Sequence, residues 1–322
     1  MKAGAGLLIV CACGGVLGTS PDASPNEDAS VDAATCEGVG RRVIAAETAE
    51  THALAIDHAD LYWTEYRNHG EVGGDVMHGT VDGDAPTRIA TDQDLPVATA
   101  TDPLHVLWVS SHATGIFYVP KAGPFGGETA FGAAVPSLHP AFAVGGYLIY
   151  FSDGQSVQST QLGASASYTT WVGAGATGFA LEPYALYFRT SASIVHVDLV
   201  TRLSDVLAPA GGDGDRLVLD DAYVYWPTVG VDGTGSISRV EKTGGAPTLV
   251  ASGLAQPTSL AVDDQNVYFA TTSSSVGGIA RVPKSGGDVE VLASCLDAPV
   301  ELVIDSTSVY FTSGTSVYAL PK

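Results

Sequence analysis

Apolar residues in this chain come in short runs broken by turns rich in Asp, Asn, Gly and Pro. No run carries the 3.6-residue period of an amphipathic helix. One phrase recurs: Leu54-Ala55-Ile56-Asp57, a turn, then Leu61-Tyr62-Trp63-Thr64. Its closing pair appears seven times, as Tyr62-Trp63, Leu107-Trp108, Tyr150-Phe151, Tyr187-Phe188, Tyr225-Trp226, Tyr268-Phe269 and Tyr310-Phe311. Five residues before each pair stands Asp57, Asp102, Gly145, Glu182, Asp220, Asp263 or Asp305. The spacings are 45, 43, 37, 38, 43 and 42 residues. A fixed period of this kind decides the architecture first, and roughly 40–45 residues is one four-stranded propeller blade.

Each copy reads strand by strand. Leu260-Ala261-Val262 is an apolar run suited to an inner strand buried on both faces. Asp263 to Asn266 is a turn, because Asp and Asn side chains bond their own backbone two residues on. Val267 to Ala270 and Gly278 to Val282 follow as β-branched and aromatic strands. Lys284 to Gly287 is a tight turn, and Glu290 to Ala293 is an outer strand. The last copy stops after its third strand at Ala319-Leu320-Pro321-Lys322, whereas Gly40 to Ala45 precedes the first copy as an orphan outer strand. The N-terminal strand should therefore complete the last blade and close the ring, which leaves no exposed sheet edge at the junction. The expectation is an all-β, seven-bladed propeller of four-stranded antiparallel blades over residues 38–322.

The phrase Ile56-Asp57…Leu61-Tyr62-Trp63-Thr64 resembles the YWTD class of β-propeller, known from low-density-lipoprotein-receptor ectodomains. It is more similar to secreted bacterial propellers of unassigned function that carry Val-Tyr-Trp-Thr and Arg-Val-Pro-Lys-x-Gly-Gly in each repeat. Arg281-Val282-Pro283-Lys284-Ser285-Gly286-Gly287 and Tyr118-Val119-Pro120-Lys121 match the second phrase. The receptor class would imply six blades, and its fourth motif residue, Asp, survives only as Glu65. The resemblance implies a fold and no activity.

Charge and the N-terminus add a setting. Lys and Arg number 14 against 35 Asp and Glu, a net charge of −21. Such a field repels nucleic acid and anionic lipid and favours solubility. No nucleic-acid partner is expected, the domain is expected to be a monomer, and membrane contact is expected only through an N-terminal anchor. Lys2 precedes the apolar run Leu7 to Cys13, far short of the ~20 residues that span a membrane. Residues 1–13 read as a secretory leader. Val10 to Gly14 resembles a bacterial lipobox with Cys13 as the acylated residue, although Cys11 stands where a small or hydroxyl side chain is usual. Residues 14–37 carry few apolar anchors, fewest over Gly18 to Ala34, and read as a disordered acidic tether. The expected location is outside the cytoplasm, as an outer-membrane or cell-surface lipoprotein, or secreted if the leader is simply cleaved.

Cys36 and Cys295 remain once the leader is set aside. An even pair in an oxidising compartment suggests a disulfide. Their strands place them at opposite ends of a blade, ~17 Å apart and beyond the ~7 Å that a bridge allows between Cα atoms, unless the Cys36 segment folds back. Both outcomes stay open.

The repeated acids and aromatic pairs read as scaffold, the acids bonding turn backbone and the rings filling the core. Function is expected where blades disagree, on the face that carries the loops between middle strands and the loops entering inner strands. That face collects Glu65, Tyr66, Arg67, Asn68, His69, His112, His139, Arg189, Asp213 and Asp215. The His residues show no His-x-x-x-His spacing, and Asp213-Gly214-Asp215 lacks the full calcium-loop pattern, so no metal site is assigned. No cofactor is expected, with a structural or channel cation such as calcium as the alternative. No nucleophile elbow, phosphate loop or Cys-x-x-Cys is present. The expected function is a binding module for a protein or glycan on the loop-rich face, without catalysis. The alternative is a metal-dependent, lactonase-like hydrolase or lyase at the central channel.

Overall fold

The computed structural model describes residues 40–46, 49–66, 73–110, 115–122, 129–131, 142–145, 148–162, 168–273 and 276–322. They form seven four-stranded sheets, each antiparallel and each in the order of the chain except one. The exception is the closing blade. There β1 (Arg42–Ala46) pairs with β28 (Ser316–Pro321), which pairs with β27 (Ser308–Ser313) and then β26 (Leu302–Ile304). The N-terminal strand is therefore the outer strand of the last blade, as the orphan copy required. Blade 6 shows the regular plan, with β22 (Pro257–Val262), β23 (Asn266–Ser273), β24 (Val276–Pro283) and β25 (Glu290–Asp297) from axis to rim. In blade 6 the strands run up to four residues past the sequence expectation, whereas β1 begins two residues later than expected. One detail is corrected: Leu260 is buried, but Ala261 and Val262 are only half-buried, because the inner strand also borders the central channel.

The aromatic pairs hold the ring together. Adjacent strand residues point to opposite faces of their sheet, so each pair feeds two different seams. Tyr225 packs with Leu260 and Phe269 between blades 5 and 6, whereas Trp226 packs with Tyr187 and Ile194 between blades 4 and 5. Tyr268 and Phe311 meet between blades 6 and 7, and Trp63 and Tyr310 between blades 7 and 1. Tyr62 with Trp108, Leu107 with Phe151, and Tyr150 with Phe188 fill the remaining seams. The core is thus a wheel of apolar seams rather than one central mass. All fourteen pair residues are less than 5% exposed. Burying each such side chain contributes about 1.5–3 kcal/mol.

Candidate functional site

The recurring carboxylate is more than a turn former. Asp220 Oδ1 accepts the Ala222 and Tyr223 N–H groups at 2.8 and 2.7 Å, and Oδ2 accepts the Tyr225 hydroxyl at 2.8 Å. Lys284, from the next blade, reaches the same carboxylate at 2.5 Å. Asp263 repeats this with Gln265 and Asn266 N–H, the Tyr268 hydroxyl at 3.0 Å and Lys322 at 3.0 Å. Lys121 binds Asp57 and Lys242 binds Glu182 in the same way. The lysine always follows the last residue of a third strand, and it latches its blade to the acid of the blade before. Burial is the largest effect on Asp220 and pushes its pKa up; Lys284, Tyr225 and the two N–H donors together outweigh it and bring it to about 2. Asp263 is likewise held at about 2, burial being outweighed by Asn266 and Gln265 N–H, Lys322 and Tyr268.

The latch fails where the repeat fails. Asp102 meets no lysine from blade 3, where Leu162 holds that place, and His105 Nδ1 approaches it at 3.0 Å instead. Between blades 7 and 1 the lysine position is Val81, and Arg42 of β1 crosses the seam to the Asp82 and Val81 carbonyls at 2.9 and 2.6 Å. Between blades 3 and 4 both partners are missing: the acid is Gly145 and the lysine is Leu199. A Cβ on Gly145 would stand 2.0 Å from Leu181 Cδ2, so the absent side chain is what admits Leu181.

At that seam the surface opens into a cleft of about 740 Å³, inside the range of ligand sites. Val144, Leu148, Leu181, Pro183, Leu199 and Val200 form its apolar walls, and Tyr150, Trp171 and Tyr184 supply rings. Gln161 and Glu182 are its polar members. Tyr150 has no acid five residues before it, and its hydroxyl has no hydrogen-bond partner among the described residues. The turn tips are apolar as well: Tyr184 and Val200 are 73% and 72% exposed, and Leu203 is exposed beside them. The equivalent cleft between blades 5 and 6 is smaller, about 430 Å³, and is lined by Asp220, Asp221, Asp263, Asp264 and Lys284.

A second feature lies on the axis. Arg216, entering blade 5, pairs with Glu301 of blade 7, and Ser259 of blade 6 donates to Glu301 at 2.6 Å. Leu302 N–H donates to Ser259 Oγ, which ties the neighbouring inner strands of blades 6 and 7 together. Burial pushes the Glu301 pKa up against the pull of Arg216 and Ser259. The Glu301 carboxylate in turn raises Arg216. The adjoining cavity measures about 110 Å³, room for about three or four waters.

The residues expected on the loop face do not all reach it. Glu65 is 3% exposed and accepts the Trp63 indole N–H at 2.9 Å. Tyr66 is buried and stacks on His52 with ring centroids 3.7 Å apart. Arg189 is 0% exposed and donates to the Pro227 and Gly212 carbonyls. It lies so close beneath Gly214 that a Cβ there would come within 2.5 Å of Nη1. These three are corrected from exposed binding residues to parts of the scaffold. Asp213 is exposed and bridges to Val229, and Asp215 borders the axial cavity beside Arg216. Arg67, Asn68, His69, His112 and His139 lie outside the described residues, as do Cys13, the leader and the tether. Cys295 is disulfide-bonded. Cys36, for which a bridge to Cys295 stayed open, lies outside the described residues. Among the described residues no three His, Cys, Asp or Glu side chains gather as metal ligands.

Sequence reasoning missed the blade 3–4 cleft and the Arg216–Glu301 pair. Gly145 and Leu199 were the visible signal for the first, as breaks in two repeating positions. Nothing in the local pattern marked Glu301, which enters from a separate blade.

No protein-family model and no curated protein matches the chain. Solved structures do. The extracellular domain of a one component system from B. thetaiotaomicron aligns with a TM-score of 0.61 at 9% identity, over 88% of this chain and 40% of that one. A protein described as a 6-phosphogluconolactonase from Bacteroides uniformis aligns at 0.55 and 14% identity, over 74% and 83%. A chain of the nidogen/laminin complex aligns at 0.50 and 17% identity, over 65% and 85%. At these identities the likeness shows the fold alone. The protein is a seven-bladed β-propeller.

Proposed function

We propose that the protein is an extracytoplasmic binding module that docks a partner protein in the cleft between blades 3 and 4. The carrying observation is that this seam alone loses both halves of the latch, and apolar side chains replace them around a cleft of ligand size. Exposed apolar patches of this kind mark interaction sites. The cleft faces away from the loops that the sequence singled out, on the side of the Asp turns. A setting outside the cytoplasm is supported by the leader-like first residues and by the disulfide at Cys295. In this reading Cys13 carries a lipid and residues 14–37 let the ring reach its partner. The lactonase-like reading has weaker support, since the axial cavity is small and its Glu301 carboxylate is already engaged by Arg216 and Ser259.

A photo-cross-linking residue placed at Tyr184 tests the site, with the same residue at Gln265, the matching turn of blade 6, as control. Adducts in the native envelope should form from position 184 and not from 265. Equal adducts from both would remove the cleft from consideration.

A further inference from the structure

We infer that the partner presents an apolar side chain flanked by basic residues, seated in the blade 3–4 cleft as part of an extended polypeptide. This inference rests on the docking reading above and adds the chemistry of the occupant.

The apolar anchor follows from the lining. Six aliphatic or proline side chains and three rings face the cleft, against Gln161 and Glu182 as its polar members. A bare glycan would find few groups there to replace the water hydrogen bonds of its hydroxyls. A Trp, Phe or Leu side chain would instead leave water for a surface that is already apolar. The Tyr150 hydroxyl, without a partner among the described residues, can donate to a backbone carbonyl beside such an anchor.

The basic flank follows from charge. The chain carries −21 overall. Two copies would therefore repel, which argues against self-association through this cleft, and an anionic lipid surface is disfavoured for the same reason. Asp198 lies directly before Leu199 at the rim of the cleft, whereas Glu182, inside it, is already paired with Lys242. The Asp198 carboxylate is held below its usual range by Thr201 and Val200 N–H donors, so it is charged at neutral pH. The Arg202 guanidinium already lies over the Trp171 ring, 5.1 Å from its centroid, so the basic flank seats at the rim rather than on that ring. Opposite charge at the rim of an interface speeds encounter and selects partners.

Synthetic peptides separate the components. One heptapeptide has a Leu-Trp-Leu centre with lysines on both sides, a second has the same centre with glutamates, and a third has lysines around Ser-Gly-Ser. Cellohexaose serves as the glycan probe. Fluorescence anisotropy with the purified ring should show the first peptide binding at least about tenfold more tightly than the others, and weakening as salt is added. The exposed-turn variants Tyr184→Ser and Val200→Ser should each weaken it severalfold, whereas Gln265→Ser should not. If the glutamate peptide binds as well as the lysine peptide, the basic partner is wrong and the cleft stands. If the Ser-Gly-Ser peptide binds as well, or the cleft variants bind normally, the docking reading itself fails. Binding of cellohexaose with no peptide binding would replace the protein partner by a glycan.

Discussion

Replacing Asp220 by Asn removes the charge from one latch and keeps its shape. The side chain still offers an oxygen to the Ala222 and Tyr223 N–H groups, but the charge-assisted bonds to Lys284 and the Tyr225 hydroxyl weaken. The native pKa of about 2, against the ordinary aspartate value of 3.8, reflects how strongly the fold prefers the carboxylate. At 1.36 kcal/mol per unit this is ~2 kcal/mol, and a side chain only 14% exposed leaves little of it to solvent screening. Because the native pKa lies below the unfolded one, the stabilisation is complete above about pH 5. It shrinks as pH falls from about 4 through 2 and is gone below that, once both states are protonated. At pH 7 the Asp220→Asn protein should melt about 3–4 °C below the wild type, since the unfolding entropy of a domain of this length is large. Thermal melts followed by circular dichroism between pH 7 and pH 2 should show the two curves converging in acid. A variant that melts with the wild type at pH 7, or a deficit that is unchanged in acid, would refute the latch as an electrostatic element. Lys284→Met isolates the part that crosses the seam and should cost less, since Tyr225 and the turn donors remain.

Two further outcomes follow from the ring. Glu301→Ala leaves Arg216 without its counter-ion and should cost about 2–3 kcal/mol in urea unfolding, below the ~3–5 of a fully buried pair because 36% of the Arg216 side chain remains accessible in the channel. The double variant Arg216→Met/Glu301→Leu should recover most of the loss, and a double variant as unstable as the single one would count against the ion pair as the cause. Deleting residues 40–46 removes β1 and uncovers the outer edge of β28. Size-exclusion chromatography with light scattering should then find dimers or larger aggregates; a well-behaved monomer would show that closure is not needed.

The architecture was legible because propeller geometry forces the same chemistry at every turn. A blade needs a ring on each face, so the pairs recur; each seam benefits from one carboxylate and one lysine, so Asp263 and Lys284 belong to phrases that repeat. The two halves of a latch were each visible in the sequence, yet not as partners, since 64 residues, about one and a half blades, separate Asp220 from Lys284. Long-range pairing is what a local pattern cannot state, and the same holds for Arg216 and Glu301, 85 residues apart. Three of the residues expected on the loop face were misread for a related reason. Glu65, Tyr66 and Arg189 depart from the repeat, but their departures are absorbed by Trp63, His52 and the Gly212 and Pro227 carbonyls rather than offered to solvent. A departure signals function only when it removes a structural partner without supplying another. Gly145 and Leu199 meet that test together, because both line one seam, and the cleft there is larger and more apolar than the one beside the intact latch between blades 5 and 6.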